Sequence, residues 1–144
     1  MTSKKLEESQ SAGGHHLLKK LVGQWEGNTK TWFEPDKLAD ESPWKGNIRS
    51  ILGDRFVIHE YEGKIEGKPL QGAAICGYNL QKGLFQAAWV DSFHMGTAIM
   101  FCEGKATEKG FSVLGHYDDP GGGPPWGWRT EVEIVDTDHI VITA

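Results

Sequence analysis

The sequence has no basic block. Lys4-Lys5 and Lys19-Lys20 are isolated pairs, and 15 Lys and Arg against 20 Asp and Glu leave a formal net charge of −5. A nucleic-acid binder needs clustered positive charge to release the counterions of the phosphate backbone, so nucleic acid is not an expected partner, and neither is an anionic membrane surface. No apolar run approaches the roughly 20 residues that span a bilayer. The first ten residues, MTSKKLEESQ, lack the apolar stretch of a secretory signal, so the expected compartment is the cytoplasm. Only two cysteines occur, Cys76 and Cys102, with neither a CxxC pair nor a zinc-type cluster; both are expected to be reduced, buried thiols. Catalytic signatures are missing too: there is no GxSxG elbow, no HExxH pair and no GxxxxGK[ST] phosphate loop. Beyond residue 21 no segment carries a helical period long enough to compete with a strand reading.

What is present is glycine and tryptophan: nineteen of the first and six of the second in 144 residues. Glycine is poor in helices and tryptophan favours strands, so composition alone leans towards β structure. The length suits one domain with a core of its own. Residues 1–14 are polar, end in Ala12-Gly13-Gly14, and are expected to form a flexible leader. Residues 15–21 (HHLLKKL) put Leu17, Leu18 and Leu21 on one face of a short helix, with His15 and His16 solvated. From residue 22 the text is strand, turn, strand. In 22–33, Trp25, Gly27, Thr29, Thr31 and Phe33 share one face and Glu26, Asn28, Lys30 and Trp32 the other, the period of two of a half-buried strand. A loop is expected at EPDKLADESP. Strands are expected at 44–52, 55–63, 70–80, 84–93, 96–103, 111–117, 126–135 and 139–144, with a glycine-rich loop, DDPGGGPP, before the eighth. Nine strands with short connections predict an all-β, antiparallel up-and-down meander, and such a meander closes most simply as a barrel, able at about eight strands to hold one small ligand.

Several residues carry candidate chemistry. Phe85, Ala87, Trp89 and Asp91 share one face of their strand. A carboxylate beside an indole in a barrel mouth can orient a ligand; an aspartate at a strand end also commonly accepts backbone N–H bonds from a turn, and that reading is preferred for Asp91. Tyr61, Tyr78, Trp89, Trp126 and Trp128 offer pocket walls or ordinary core packing. His59, His94 and His116 lie on or near strands and are read as satisfied or half-exposed rather than as ligands; His116, in LGHYD, is the one best placed to be an axial haem ligand. The leading functional reading is a binding protein for a small hydrophobic ligand, walled by Tyr61, Tyr78, Trp89 and Trp128 and anchored by Asp91 or His116. A haem or metal barrel and an enzyme using Asp91 with His94 are the alternatives, the enzyme a minority reading. No cofactor and no bound metal are expected.

Two sets of residues carry a resemblance. HHLLKKLVGQWEG, a short helix followed by Gly23-Gln24-Trp25, resembles the opening signature of lipocalins and other calycins, which implies that Trp25 packs at the closed end of a barrel against the helix. LVGQWEG, LGDRFVIHEYEG, QGAAICGYN, FQAAWVDSFHMG and a late strand at Gly115, in that order, resemble one uncharacterised bacterial family, the domain of unknown function number 1579, over about residues 15–139. The resemblance implies a lipocalin-like domain at 15–144 and no assigned activity. Asn79 stands where that family more often has an aspartate. The resemblance also implies one further strand beyond Ala144, so the chain is expected to lack a final strand and to leave an edge at 139–144 that is open or paired in a homodimer. Because the inward positions of the first strand are small (Gly27, Thr29, Thr31), an internal cavity touching Trp89 is expected as well.

Overall fold

A computed structural model describes residues 3–144. Two short helices, α1 (Lys4–Ala12) and α2 (Gly14–Lys19), precede nine strands: β1 (Gly23–Glu34), β2 (Lys37–Ile51), β3 (Phe56–Ile65), β4 (Lys68–Asn79), β5 (Leu84–Asp91), β6 (Met100–Gly104), β7 (Gly110–Tyr117), β8 (Trp126–Asp136) and β9 (His139–Thr143). Each strand pairs antiparallel with its sequence neighbours, in the order β1 to β9. The meander curls into a half-barrel, with β1 and β9 as its two edges.

The two-residue alternation decides what faces the concave side. Val57, Phe85, Ala87, Met100, Cys102, Phe111, Val113 and Val132 point inward and form one buried cluster. Phe85 and Phe111 stack at 4.5 Å between ring centres. Leu18 and Leu21, from the short helix and the residues just after it, cover one end of this cluster at 2% and 4% exposure. That end is closed by apolar packing together with a few polar ties to the sheet, among them Lys19 Nζ to Asp54 at 3.0 Å, and α2 sits over β3 and β4.

Several local expectations are corrected. The segment read as a flexible leader contains a helix, capped at its start by Ser3, whose hydroxyl accepts from the Leu6 N–H. His15 is buried, not solvated: its Nδ1 lies 2.7 Å from the Ser9 hydroxyl and its ring edge meets Tyr78. The expected loop at EPDKLADESP is mostly strand, because β1 and β2 form one long hairpin that turns tightly at Pro35-Asp36, where Asp36 adopts a left-handed φ of 60°. The strand expected at 96–103 begins only at Met100; residues 92–99 form a loop. Trp25 is half-buried rather than fully enclosed, yet it does meet the helix end, since its indole N–H donates to the Leu21 carbonyl at 2.8 Å.

The packing separates two kinds of aromatic. Phe85→Ala empties a fully enclosed site and is expected to cost about 3–5 kcal/mol. Trp25→Phe keeps most of the apolar contact and loses one hydrogen bond, about 1 kcal/mol. Urea denaturation of the two variants checks the ranking; equal losses would mean that Trp25 seals the closed end as tightly as Phe85 fills the core.

Candidate functional site

The end of the half-barrel away from α2 gathers aromatic and titratable side chains from β2, β3, β5, β8 and the loop after β5. Tyr61 on β3 is opposed by glycine on both sides, Gly46 on β2 and Gly72 on β4. A Cβ on Gly72 would run into the Tyr61 ring, so the absence of a side chain there lets the phenol lie across β4 towards β5. On β5 it meets Trp89, whose indole N–H donates to the Tyr61 oxygen at 2.6 Å. Trp89 in turn stacks on Trp128 of β8, with 5.5 Å between ring centres and 17° between planes. Trp44 of β2 stacks on the other side of Tyr61 at 5.9 Å.

Asp91 ends β5 and is buried, its side chain 1% exposed. One carboxylate oxygen accepts the backbone N–H groups of His94 and Met95, at 2.8 and 2.9 Å, and the other lies 2.6 Å from His94 Nδ1. The turn-capping reading and the anchoring reading of Asp91 therefore hold together. An ionised carboxylate only accepts, so this contact is made by a proton on Nδ1, and Nε2 is the ring nitrogen that faces away from the acid. The His94 side chain is 35% exposed and its ring packs on Trp128 at 5.2 Å and Trp89 at 5.9 Å. The result is an imidazole fixed in orientation by a buried acid, at the rim of an aromatic face.

One polar atom inside this cluster lacks a protein partner among the described residues, and a second group is only half satisfied. His59 Nε2 is buried and makes no hydrogen bond among the described residues. Burial alone lowers the His59 pKa to about 4, so the ring is neutral near pH 7. The Tyr61 oxygen receives the Trp89 N–H, but no acceptor meets its own O–H among the described residues. Burial pushes this phenol up to about 12, with the nearby Asp91 acting in the same direction and the Trp89 bond opposing. Both thiols are raised by burial, which keeps Cys76 and Cys102 protonated and unreactive.

Of the residues singled out from the sequence, the structure brings together His59, Tyr61, Trp89, Asp91, His94 and Trp128, and adds Trp44. Tyr78 does not join them. It lies one end away, opposite Phe85 and beneath α2, where Gly14 leaves room for its ring. His116 is exposed and faces the outer side of β7, between the inward-facing Gly115 and Tyr117, so it is not in the barrel as an axial haem ligand would have to be. Trp126 is 56% exposed and walls nothing. Among the described residues no three His, Cys, Asp or Glu side chains come together as a metal site. Gly23, at a φ of 153°, opens β1 two residues before Trp25. Trp44 is the neighbour that the sequence does not single out; its parity with Gly46 and Ile48 was the available signal.

The expected internal cavity touching Trp89 is not among the concavities that stand out. One of about 300 Å³ is lined by Val22, Gly23, Gln24, Trp25, Glu26, Thr137 and Asp138, and one of about 240 Å³ lies over the β1–β2 pairing at Gln24–Glu26 and Lys45–Asn47. The aromatic rings fill the space between one another, and what they present is a rim.

A family model described as Protein of unknown function (DUF1579) matches residues 10–144. The chain belongs to that family. No curated protein matches the chain. No helix among the described residues is long and apolar enough to cross a membrane.

The buried neutral histidine sets a direction for acid sensitivity. His59 has a folded pKa of about 4 against 6.5 unfolded, so between these values the unfolded chain binds more protons and stability falls as pH falls. The loss expected from this one group is about 3 kcal/mol over that window. In His59→Gln the fall in urea midpoint between pH 6.5 and pH 4 should be clearly shallower. An unchanged pH profile would mean that the buried ring is not the group being protonated.

Proposed function

We propose that this member of the DUF1579 family binds a small, planar, largely apolar molecule at the open end of its half-barrel. The observation that carries this reading is His94. Its ring is held at 2.6 Å by a carboxylate with 1% exposure, while its other nitrogen has no protein partner among the described residues and the ring itself is partly open to solvent. Fixing an imidazole with a buried acid is more than a turn requires, since the backbone N–H groups of His94 and Met95 already satisfy one oxygen of Asp91. A planar ligand laid against Trp128 gains the offset stacking that aromatic faces favour, and a donor on its edge reaches Nε2 of His94. Because the aromatic rings pack on one another, the reading is of an open, rim-type site and not of an enclosed lipocalin pocket. A cytoplasmic setting fits the two free thiols.

The same 2.6 Å contact favours a second reading, acid–base chemistry with His94 Nε2 as the proton acceptor and Asp91 as its positioning residue. The binding reading ranks first because the rings of Trp89 and Trp128 pack beside His94 and offer a planar ligand a face.

The binding reading is tested with 2-naphthol, a planar aromatic carrying one hydroxyl, followed by the tryptophan indole N–H signals in proton–nitrogen NMR. Saturable shifts are expected at Trp89 and Trp128, with affinity at least tenfold weaker in His94→Ala and Trp128→Ala. Shifts confined to Trp25 would relocate binding to the concavity beside β1, and no saturable shift would count against this reading.

A further inference from the structure

The β1 strand leaves one whole edge unpaired. It runs twelve residues, Gly23–Glu34, and hydrogen-bonds to β2 alone, while the helices lie over β3 and β4. Along this strand three large apolar side chains face solvent: Val22, just before it, at 40% exposure, Trp32 at 52% and Phe33 at 66%. A long edge with exposed apolar groups is a template for another strand. The other edge, β9, has only five residues.

We propose that β1 is the surface through which two copies of this chain associate, pairing antiparallel with itself across a two-fold axis at Asn28. The register follows from parity and charge. A two-fold perpendicular to the sheet keeps the inner face inner, so opposed residues must have the same parity and the axis must pass through a residue. With Asn28 on the axis, Glu26 of each copy stands opposite Lys30 of the other, giving two opposite-charge pairs on the outer face. Trp25 stands opposite Thr31 on the inner face. The neighbouring registers lose this match. An axis at Thr29 sets Lys30 against Asn28, one at Gly27 sets Lys30 against Gln24, and one at Lys30 opposes two lysines and sets Glu26 against Glu34. The pairing of β1 with β2 is regular from Gly23 to Thr31 and shifts between Thr31 and Trp32 and between Trp32 and Glu34, so the Asn28 register is carried by residues 25–31, while Trp32 and Phe33 add exposed apolar surface at the end of the same edge. The occupant of the edge is a second copy because the strand is complementary to itself.

A lysine on an exposed edge can also serve to repel other strands. Charge exchange separates the two roles. Glu26 and Lys30 are exposed, so their replacement leaves the core intact, which circular dichroism checks. Sedimentation equilibrium is run on the unaltered chain, on Glu26→Lys, on Lys30→Glu and on the double exchange. The expected result is a dimer for the unaltered chain, dissociation at least tenfold easier in each single variant, and recovery in the double exchange, which recreates both pairs with their signs reversed. A monomer at all concentrations, which would assign Lys30 to the guarding role, overturns the proposal. So does a dimer that the single variants do not weaken, or a double exchange that fails to recover.

Discussion

The open end of this half-barrel is organised around one buried carboxylate. Asp91 stands where β5 ends, and both of its oxygens are used: one takes two backbone N–H groups of the following loop, the other takes the imidazole of His94. Burying an ionised acid is costly unless its lone pairs are met, and three donors meet them here. The loop from residue 92 to 99 is thereby tied to the strand, and the ring of His94 is set against Trp89 and Trp128. Without that carboxylate the loop would lose its first turn, and His94 would lose the contact that orients its ring at the aromatic rim.

The second constraint is space, and glycine supplies it. Tyr61 is flanked by Gly46 and Gly72 on the adjacent strands, and the gap over Gly72 is what allows the phenol to reach Trp89 on the next strand but one. Trp44 fills the corresponding gap over Gly46, where its ring meets those of Tyr61 and His59. Large rings laid over Gly46 and Gly72 give a layer of aromatics lying along the sheet instead of a hollow lined by their edges. Neither of the two concavities beside β1 touches this layer at Trp89, because the rings belong to β2, β3, β5 and β8.

The fold was largely legible because its signal is local. Alternation in β5 gave the inward face correctly, and in β1 it holds to Thr31 but fails at Phe33, which is 66% exposed past a break in the pairing; turn residues such as Gly53, Gly67 and Gly83, all at left-handed φ, mark where the strands end. The site was legible only in part. Asp91 and Trp89 announce themselves by sharing a strand face, and Tyr61 and Trp128 only as aromatics on expected strands. The register that sets Tyr61 opposite Gly72, and so within reach of Trp89, depends on pairings between strands and has no signature along the chain. Tyr78 and His116 failed for matching reasons. Tyr78 faces inward as read but at the closed end, a distinction that period two cannot make. His116 sits between inward-facing Gly115 and Tyr117, so counting parity from those neighbours would have placed it outside. The burial of His15 was illegible because its partner, Ser9, belongs to a helix that the polar composition of residues 1–14 concealed.

The two ends of the sheet are unequal in what they contribute, and this bears on how site and edge relate. The aromatic rim draws its rings from β2, β3, β5 and β8 and its carboxylate from the end of β5, whereas β1 gives it no side chain; Trp25 is turned towards Leu21 at the closed end. The long β1–β2 hairpin is held to the rest of the sheet through Lys45–Ile51 of β2, so the distal part of β1 stands beyond the last residue pair with β3. An edge so placed can be left open, or covered by another strand, without moving the layer formed by Tyr61, Trp89 and Trp128. Occupancy of the edge and occupancy of the rim are therefore expected to be energetically independent, since residues without shared partners usually contribute additively. Any coupling between them has to pass through Trp44, the one ring of the rim that sits on the strand paired with β1.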